Sequence, residues 1–366
     1  MLPKRMCTRA TTAALMLVLA CFVWLRSGVA QASPAVEGTR NLSMGSVARG
    51  SSYGTNAALI NPSNMSFAPV FTVEALYQLG AQSKTHGVGF LVMDSLNNSR
   101  VAIGLGYLFM RGMPRIAFTD MMTAERRNLE LSLFGHEVLG ALSITAVKQW
   151  LAIGLKPKYQ YVSLRYRDDI GVARNANKKL NTFGLDTSIT VNFAGWAAIA
   201  LSGVNVLGNH RPAYTDERPV NLEGIPVQEG TIDHGTVSDT SAYPLGFEHG
   251  VSVFPLRTQI FSLNFDGMYD FTSYHFEKYT RMQYGGSGEF IVGPVPLRFG
   301  VLWDSRGKGK VDDRIFVAGG VAFVRPPKLG GVGVDVGFGF RQEVSGPPGL
   351  DTIIGFNLGL RLHPDL

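Results

Sequence analysis

From 352 to 362 the chain alternates without a slip. Ile354, Phe356, Leu358, Leu360 and Leu362 share one face; Gly355, Asn357, Gly359 and Arg361 share the other. Successive side chains of a strand point to opposite faces, so a strict period of two marks a sheet with two unlike sides. The segment before it repeats the pattern. Val332, Val334, Val336, Phe338 and Phe340 oppose Gly333, Asp335, Gly337, Gly339 and Arg341. Segments 101–110, 180–194 and 258–272 do the same, the last setting Phe261, Leu263, Phe265, Tyr269 and Phe271 against Ser262, Asn264, Asp266 and Asp270.

A soluble sandwich alternates too, with its polar face in water. Here the second face is Gly, Ala, Ser and Asn with a few charges, rather than the Lys, Glu and Thr of a solvated face. Some segments are also long, 150–167 above all, whereas soluble strands have a mode of about 5–6 residues. Charged residues make up only 17% of the chain, against roughly 25% in a soluble domain. The pattern predicts an all-β fold, a transmembrane antiparallel β-barrel with apolar residues outward and small or polar residues inward.

Fourteen segments are predicted: 70–79, 85–94, 101–110, 128–147, 150–167, 180–194, 196–205, 242–254, 258–272, 282–292, 297–304, 314–324, 332–342 and 352–362. An even number suits a single-chain barrel. Part of the fourth, 136–149, reads equally as a strand or a short helix. Connections at 95–100, 148–149, 195, 255–257, 293–296 and 325–331 are short. Those at 111–127, 168–179, 206–241, 273–281, 305–313 and 343–351 are longer, and the first hairpin, 80–84, is the exception. Short turns at one rim and long loops at the other put both barrel ends in the periplasm. The long loop at 206–241 is the expected place for a protein partner, because long loops tend to carry recognition.

The first residues have another character. Lys4, Arg5 and Arg9 precede an apolar run at 13–24, too short for a spanning helix of about 20 residues. Ala30-Gln31-Ala32 is a small-x-small cleavage site, so 1–32 is expected to be a signal peptide cut after Ala32. Both cysteines, Cys7 and Cys21, lie in it. The mature chain then has no disulfide, cysteine nucleophile or cysteine metal site. Removing the four leader cations, Lys4, Arg5, Arg9 and Arg26, leaves thirty basic against twenty-eight acidic residues, which gives no electrostatic reason for nucleic-acid binding.

Residues 33–69 are too polar and irregular for a strand pair. They hold Gly38-Thr39-Arg40-Asn41-Leu42-Ser43-Met44-Gly45 and then Asn61-Pro62-Ser63-Asn64-Met65. These stretches resemble the G-x-R-x-x-x-M-G and Asn-Pro-Ala-Gly motifs that open FadL-type outer-membrane transporters and the related PorV-type barrels; the second departs at two of its four positions. Further on, 200–208, 244–248 and 296–301 resemble strands of those families. The resemblance implies a fourteen-stranded barrel whose N-terminal piece, 33–69, folds inward as a hatch, with the barrel itself at 70–366. Pro62 biases Asn61 toward extended backbone, and an Asn side chain caps local turns. Leu42, Met44, Leu59, Ile60, Met65 and Phe67 need a place to be buried. Leu42, Met44, Gly45, Leu59, Asn61, Pro62 and Met65 are therefore the candidate hatch and ligand residues.

Competing chemistry is thin. The seven histidines, His86, His136, His210, His234, His249, His275 and His363, show no metal-ligand spacing, and no G-x-S-x-G elbow is present. The acid pairs Asp168-Asp169 and Asp312-Asp313 read as outer-loop charge. No enzyme activity, metal or cofactor is expected. Lys156, Lys158, Asp186, Asp266, Asp270, Asp335, Arg341 and Arg361 are the candidate lumen-lining charges, either holding the hatch by ion pairs or simply tolerated in a wet interior. Aromatic residues near segment ends, such as Tyr77, Tyr107, Trp150, Trp196, Tyr269 and Trp303, fit interfacial girdles against outer-membrane lipid. The FadL resemblance implies passive, hatch-gated uptake of a hydrophobic, fatty-acid-like small molecule across the bacterial outer membrane. The PorV resemblance implies a non-conducting barrel serving secretion or surface attachment.

Overall fold

The computed structural model describes residues 36–362, apart from 83, 97, 99, 113–114, 120–125, 169–176, 209–244, 259, 272–280, 306–312, 326–330 and 346–351. The expected signal peptide, most of the long loop, His210, His234, His275, His363, Asp169 and Asp312 lie outside these residues.

The described residues form fifteen strand runs, every hydrogen-bonded pair of them antiparallel: β1 (Phe71–Gly80), β2 (Thr85–Asp94), β3 (Val101–Gly112), β4 (Arg115–Thr119), β5 (Arg126–Val147), β6 (Leu151–Asp168), β7 (Asn177–Phe193), β8 (Ala197–Gly208), β9 (Gly246–Val253), β10 (Phe261–Asp270), β11 (Arg281–Val292), β12 (Val295–Ser305), β13 (Arg314–Arg325), β14 (Val332–Ser345) and β15 (Thr352–Leu362). β1 pairs with β15 from Phe71↔Leu362 to Gly80↔Ile353, and β3 pairs with β5, so the sheet closes on itself. Closure leaves no edge with unpaired backbone groups, which a membrane requires. β3 and β4 are two runs of one wall strand: Gly112↔Leu133 and Arg115↔Glu130 continue a single register along β5. The wall therefore has fourteen strands, as the alternation predicts.

One sequence expectation changes and one open alternative is settled. The connection read at 111–127 is shorter, because 115–119 extends the ladder along the 22-residue β5. A strand that long needs a partner over its whole length to satisfy its backbone. The ambiguous 136–149 stretch is strand through Val147.

The alternation becomes an outside and an inside. Leu105, Phe265, Phe299, Leu358 and Leu360 are exposed, while the intervening Gly, Ala, Ser and Asn positions are buried. Among the described residues no helix is long and apolar enough to cross a membrane; the strands provide the apolar exterior. Tyr77, Tyr107 and Tyr269 gather near the long-loop rim beside His86, His136 and His249, with Tyr77 Oη 2.8 Å from His86 Nδ1. Trp150 and Trp196 stand at the short-turn rim, and the Arg257 guanidinium lies 3.9 Å above the Trp196 ring. These are the two girdles that interfacial residues form.

Candidate functional site

Residues 36–69 form helix α1 (Thr39–Ser43), helix α2 (Gly54–Ile60) and a 3₁₀ turn (Pro62–Phe67). These elements are too short to be stable alone, so their packing must hold them. They touch the buried face of strands all round the barrel. α1 packs on β12 to β15, α2 on β1 to β3, and the 3₁₀ turn on β3 and β5 to β7.

Glu37, Arg40 and Arg49 are the charged residues of the 33–69 stretch, and each meets the wall. Arg49 grips Glu248 on β9 with two bonds, Nη2 to Oε1 at 2.6 Å and Nε to Oε2 at 2.7 Å. Its Nη1 lies 3.2 Å from Asp266 Oδ2 on β10, which also accepts the backbone N–H groups of Ala48 and Arg49. Arg40 donates to both oxygens of Glu289 on β11, and Arg298 reaches the same carboxylate at 2.7 Å. Glu37 accepts from Arg341 on β14 at 2.8 Å. Fork-to-carboxylate geometry gives strength and orientation together. Burial works against the charge on Arg49, but Glu248 and Asp266 outweigh it and hold the guanidinium above the ordinary arginine value. Arg40 is raised in the same way, with Glu289 opposing burial. Both clamps therefore keep their positive partner at any working pH.

The Asn61-Pro62-Ser63-Asn64 turn is the second anchor. Asn61 Nδ2 donates to Arg49 O and to Thr190 Oγ1 on β7, both at 2.9 Å, and Asn61 Oδ1 accepts from Ser63 Oγ at 2.6 Å. The Ser63 N–H donates to Ser188 Oγ at 3.0 Å. Asn64 Nδ2 donates to Arg49 O at 3.0 Å and to Ser52 Oγ at 3.0 Å. Motif and clamp thus meet at Arg49. Gly45, at φ 66°, supplies a left-handed turn after α1 that few other residues adopt.

Between this segment and the wall is a cavity of about 200 Å³. Leu59, Ile60, Pro62 and Val204 give it an apolar side; Arg49, Lys156, Lys158, Asp186, Ser188, Ser202 and Glu248 give it a polar one. Lys156 and Lys158 both reach Asp186 at 2.8 Å, and Lys156 Nζ also donates to Leu59 O. Here the wall is irregular. Leu185 faces Leu207 and Thr187 faces Gly203, so Val204, Asn205 and Val206 stand opposite Asp186 alone. This is a bulge with Asn205 at φ 53°. A groove of about 290 Å³ on the outer face shares Thr187, Ser188 and Ser202 with the cavity and is otherwise bordered by Ile189, Leu201, Gly203 and Phe247.

Of the candidate hatch residues, Leu59 and Pro62 border the cavity, and Asn61 anchors the turn beside it. Leu42, Met44 and Met65 are fully buried in packing, Met65 in a cluster with Ala57, Ala58 and Met93. Among the candidate lumen charges, Lys156, Lys158 and Asp186 border the cavity, while Asp266 and Arg341 hold the segment. Asp335 and Arg361 pair with each other. The Asp270 side chain lies outside the described residues. Sequence reasoning missed Glu37, Arg40, Arg49, Glu248 and Glu289. Their signal was available: isolated charges in an otherwise neutral stretch need partners, and Glu248 and Glu289 occupy inward positions.

No family model and no curated protein matches the chain. Solved structures do. The crystal structure of the Pseudomonas putida toluene transporter TodX aligns with a TM-score of 0.53 over 93% of this chain and all of its own, at 11% identity. That of the Ralstonia pickettii toluene transporter TbuX aligns with a TM-score of 0.55 over 89% of this chain and 98% of its own, at 10% identity. What is shared at such identities is architecture: this chain has the fold of a FadL-type outer-membrane barrel.

Proposed function

We propose that the protein is an outer-membrane barrel for passive uptake of hydrophobic small molecules, with 33–69 as its hatch. One observation carries this reading. The cavity between the N-terminal segment and the wall shares Thr187, Ser188 and Ser202 with a groove that reaches the lipid-facing Ile189, Leu201 and Phe247. A ligand held beside the hatch is then one strand's thickness from the apolar exterior, at the place where the β7–β8 ladder is interrupted. The toluene transporters TodX and TbuX, which share the fold, support the substrate class. The fatty-acid-like chain that the sequence resemblance implies would place only its apolar tail along this groove, with its head group outside the cavity.

The buried clamps at Arg40 and Arg49 hold the segment in place, so opening is a local rearrangement near 59–62 rather than expulsion of the whole hatch. The test is liposome swelling together with toluene binding, on the intact mature protein and on a variant lacking 33–69. Binding by the intact protein, with sugar-driven swelling appearing only on deletion, supports the reading. Absence of both would sink it and leave a non-conducting scaffold barrel in its place.

A further inference from the structure

We infer that the cavity selects an apolar molecule bearing one neutral hydrogen-bonding group, a phenol or small alcohol rather than a bare hydrocarbon or an ion, and that Ser202 is the residue that reads that group. The inference rests on the uptake reading above and narrows its substrate class.

Charge balance excludes an ionic ligand. The cations at the cavity are Arg49, Lys156 and Lys158. Their carboxylate partners are Glu248, Asp266 and Asp186, all within 2.6–3.2 Å. Three positive charges face three negative ones, so a carboxylate or ammonium would enter without a counter-charge, at a high desolvation cost.

Ser202 is different. Its side chain is buried at 4% exposure, it borders both the cavity and the outer groove, and its hydroxyl has no hydrogen-bond partner among the described residues. It stands in an inward row between Ser188 and Glu248, both already bonded to the N-terminal segment. A buried hydroxyl left unmatched is costly, and a ligand that supplies its partner recovers that cost. Leu59, Ile60, Pro62 and Val204 opposite take an apolar body. The volume of about 200 Å³ lies below the roughly 300–1,000 Å³ of sites for drug-sized ligands, which limits the body to about one ring or a short chain. A site built to bond a hydroxyl also discriminates against the analogue lacking it.

The test compares p-cresol with toluene, which differ by one hydroxyl, and with 4-methylbenzoate, by equilibrium binding to the full mature protein in detergent. p-Cresol is expected to bind about three- to tenfold more tightly than toluene, the worth of one neutral hydrogen bond, and 4-methylbenzoate more weakly than either. Ser202→Ala should bring the p-cresol to toluene ratio to about one, and Ser202→Thr should keep it above one. Ser262→Ala is the control: this hydroxyl is also buried and, among the described residues, unpartnered, but borders neither cavity nor groove, so the ratio should stay at its wild-type value. Equal binding of p-cresol and toluene by the wild type, or an unchanged ratio in Ser202→Ala, overturns the inference and leaves uptake standing. Failure of all three probes to bind overturns uptake and the inference with it.

Discussion

The backbone N–H of Asn205 donates to Asp186 Oδ1 across 2.8 Å, where the ladder between β7 and β8 is interrupted. A side chain thus does the work of a strand partner, and the same carboxylate receives Lys156 and Lys158. Asp186→Ala removes the acceptor and leaves two buried ammonium groups together. It should lower stability by about 3–5 kcal/mol, the cost of breaking a buried pair from one side. Asp186→Asn, which retains an acceptor oxygen, should cost less. Urea unfolding in detergent gives the order; equal midpoints for wild type and Asp186→Ala would mean that the bulge holds itself.

Arg49 joins Glu248 and Asp266 to the N-terminal segment. Arg49→Met should be destabilising by about 3–5 kcal/mol, because it leaves two buried carboxylates facing each other. Adding Glu248→Gln should recover part of the loss, as neighbours in one network are not additive. A double-mutant cycle on the unfolding midpoint measures the coupling, and strict additivity would refute the clamp.

Asn61→Ala deletes bonds to Arg49 O, Thr190 Oγ1 and Ser63 Oγ in one step. The local cost is about 1–3 kcal/mol for buried groups left unmatched. Because the turn borders the cavity, hydrogen exchange across 54–67 should quicken while exchange in β14 and β15 stays slow. Uniform quickening would point to global loosening instead.

The wall was legible in the sequence because lipid outside and small side chains inside impose period two on every strand. The 352–362 segment matches β15 at both ends. The 115–119 run was not legible, since it is a strand only by continuing the β3 register along β5. The Asn-Pro motif marked the right turn, but its partners Thr190 and Ser188 are ordinary inward residues that only the closed barrel brings to it. Ser202 gave no signal at all. A serine at an inward position is common here, and what sets Ser202 apart is a hydroxyl unpartnered among the described residues and placed at the cavity, a property of three-dimensional packing.

Position on the outer face predicts another contrast. Leu358 is exposed in the middle of β15, and Leu256 is exposed in the short turn after β9. Leu358→Arg should impair folding into liposomes by about 2–4 kcal/mol, and Leu256→Arg by about 0–1 kcal/mol, since the cost falls toward the interface. Folding yield into vesicles of fixed lipid composition reports both. Equal penalties would mean that the lipid boundary is misplaced.

Gly154 on β6 tests how closely the N-terminal segment lies against the wall. A Cβ there would stand 2.7 Å from the Pro62 carbonyl carbon and 2.6 Å from Ser188 Oγ. The first obstacle is backbone and cannot swing aside. Gly154→Ala should therefore displace the turn at 61–64 rather than the strand, whose ladder to β7 pairs Gly154 with Ser188. Overpacking of this kind costs about 1–3 kcal/mol, and the displacement loosens the Asn61 and Ser63 bonds that border the cavity. Sugar-driven swelling of liposomes should rise in Gly154→Ala, while Gly140→Ala, where a Cβ meets only Pro157 Cγ at 3.7 Å, should leave it unchanged. A wild-type swelling rate in Gly154→Ala, with the fold intact by heat-modifiable gel mobility, would show that the turn can shift without opening a path.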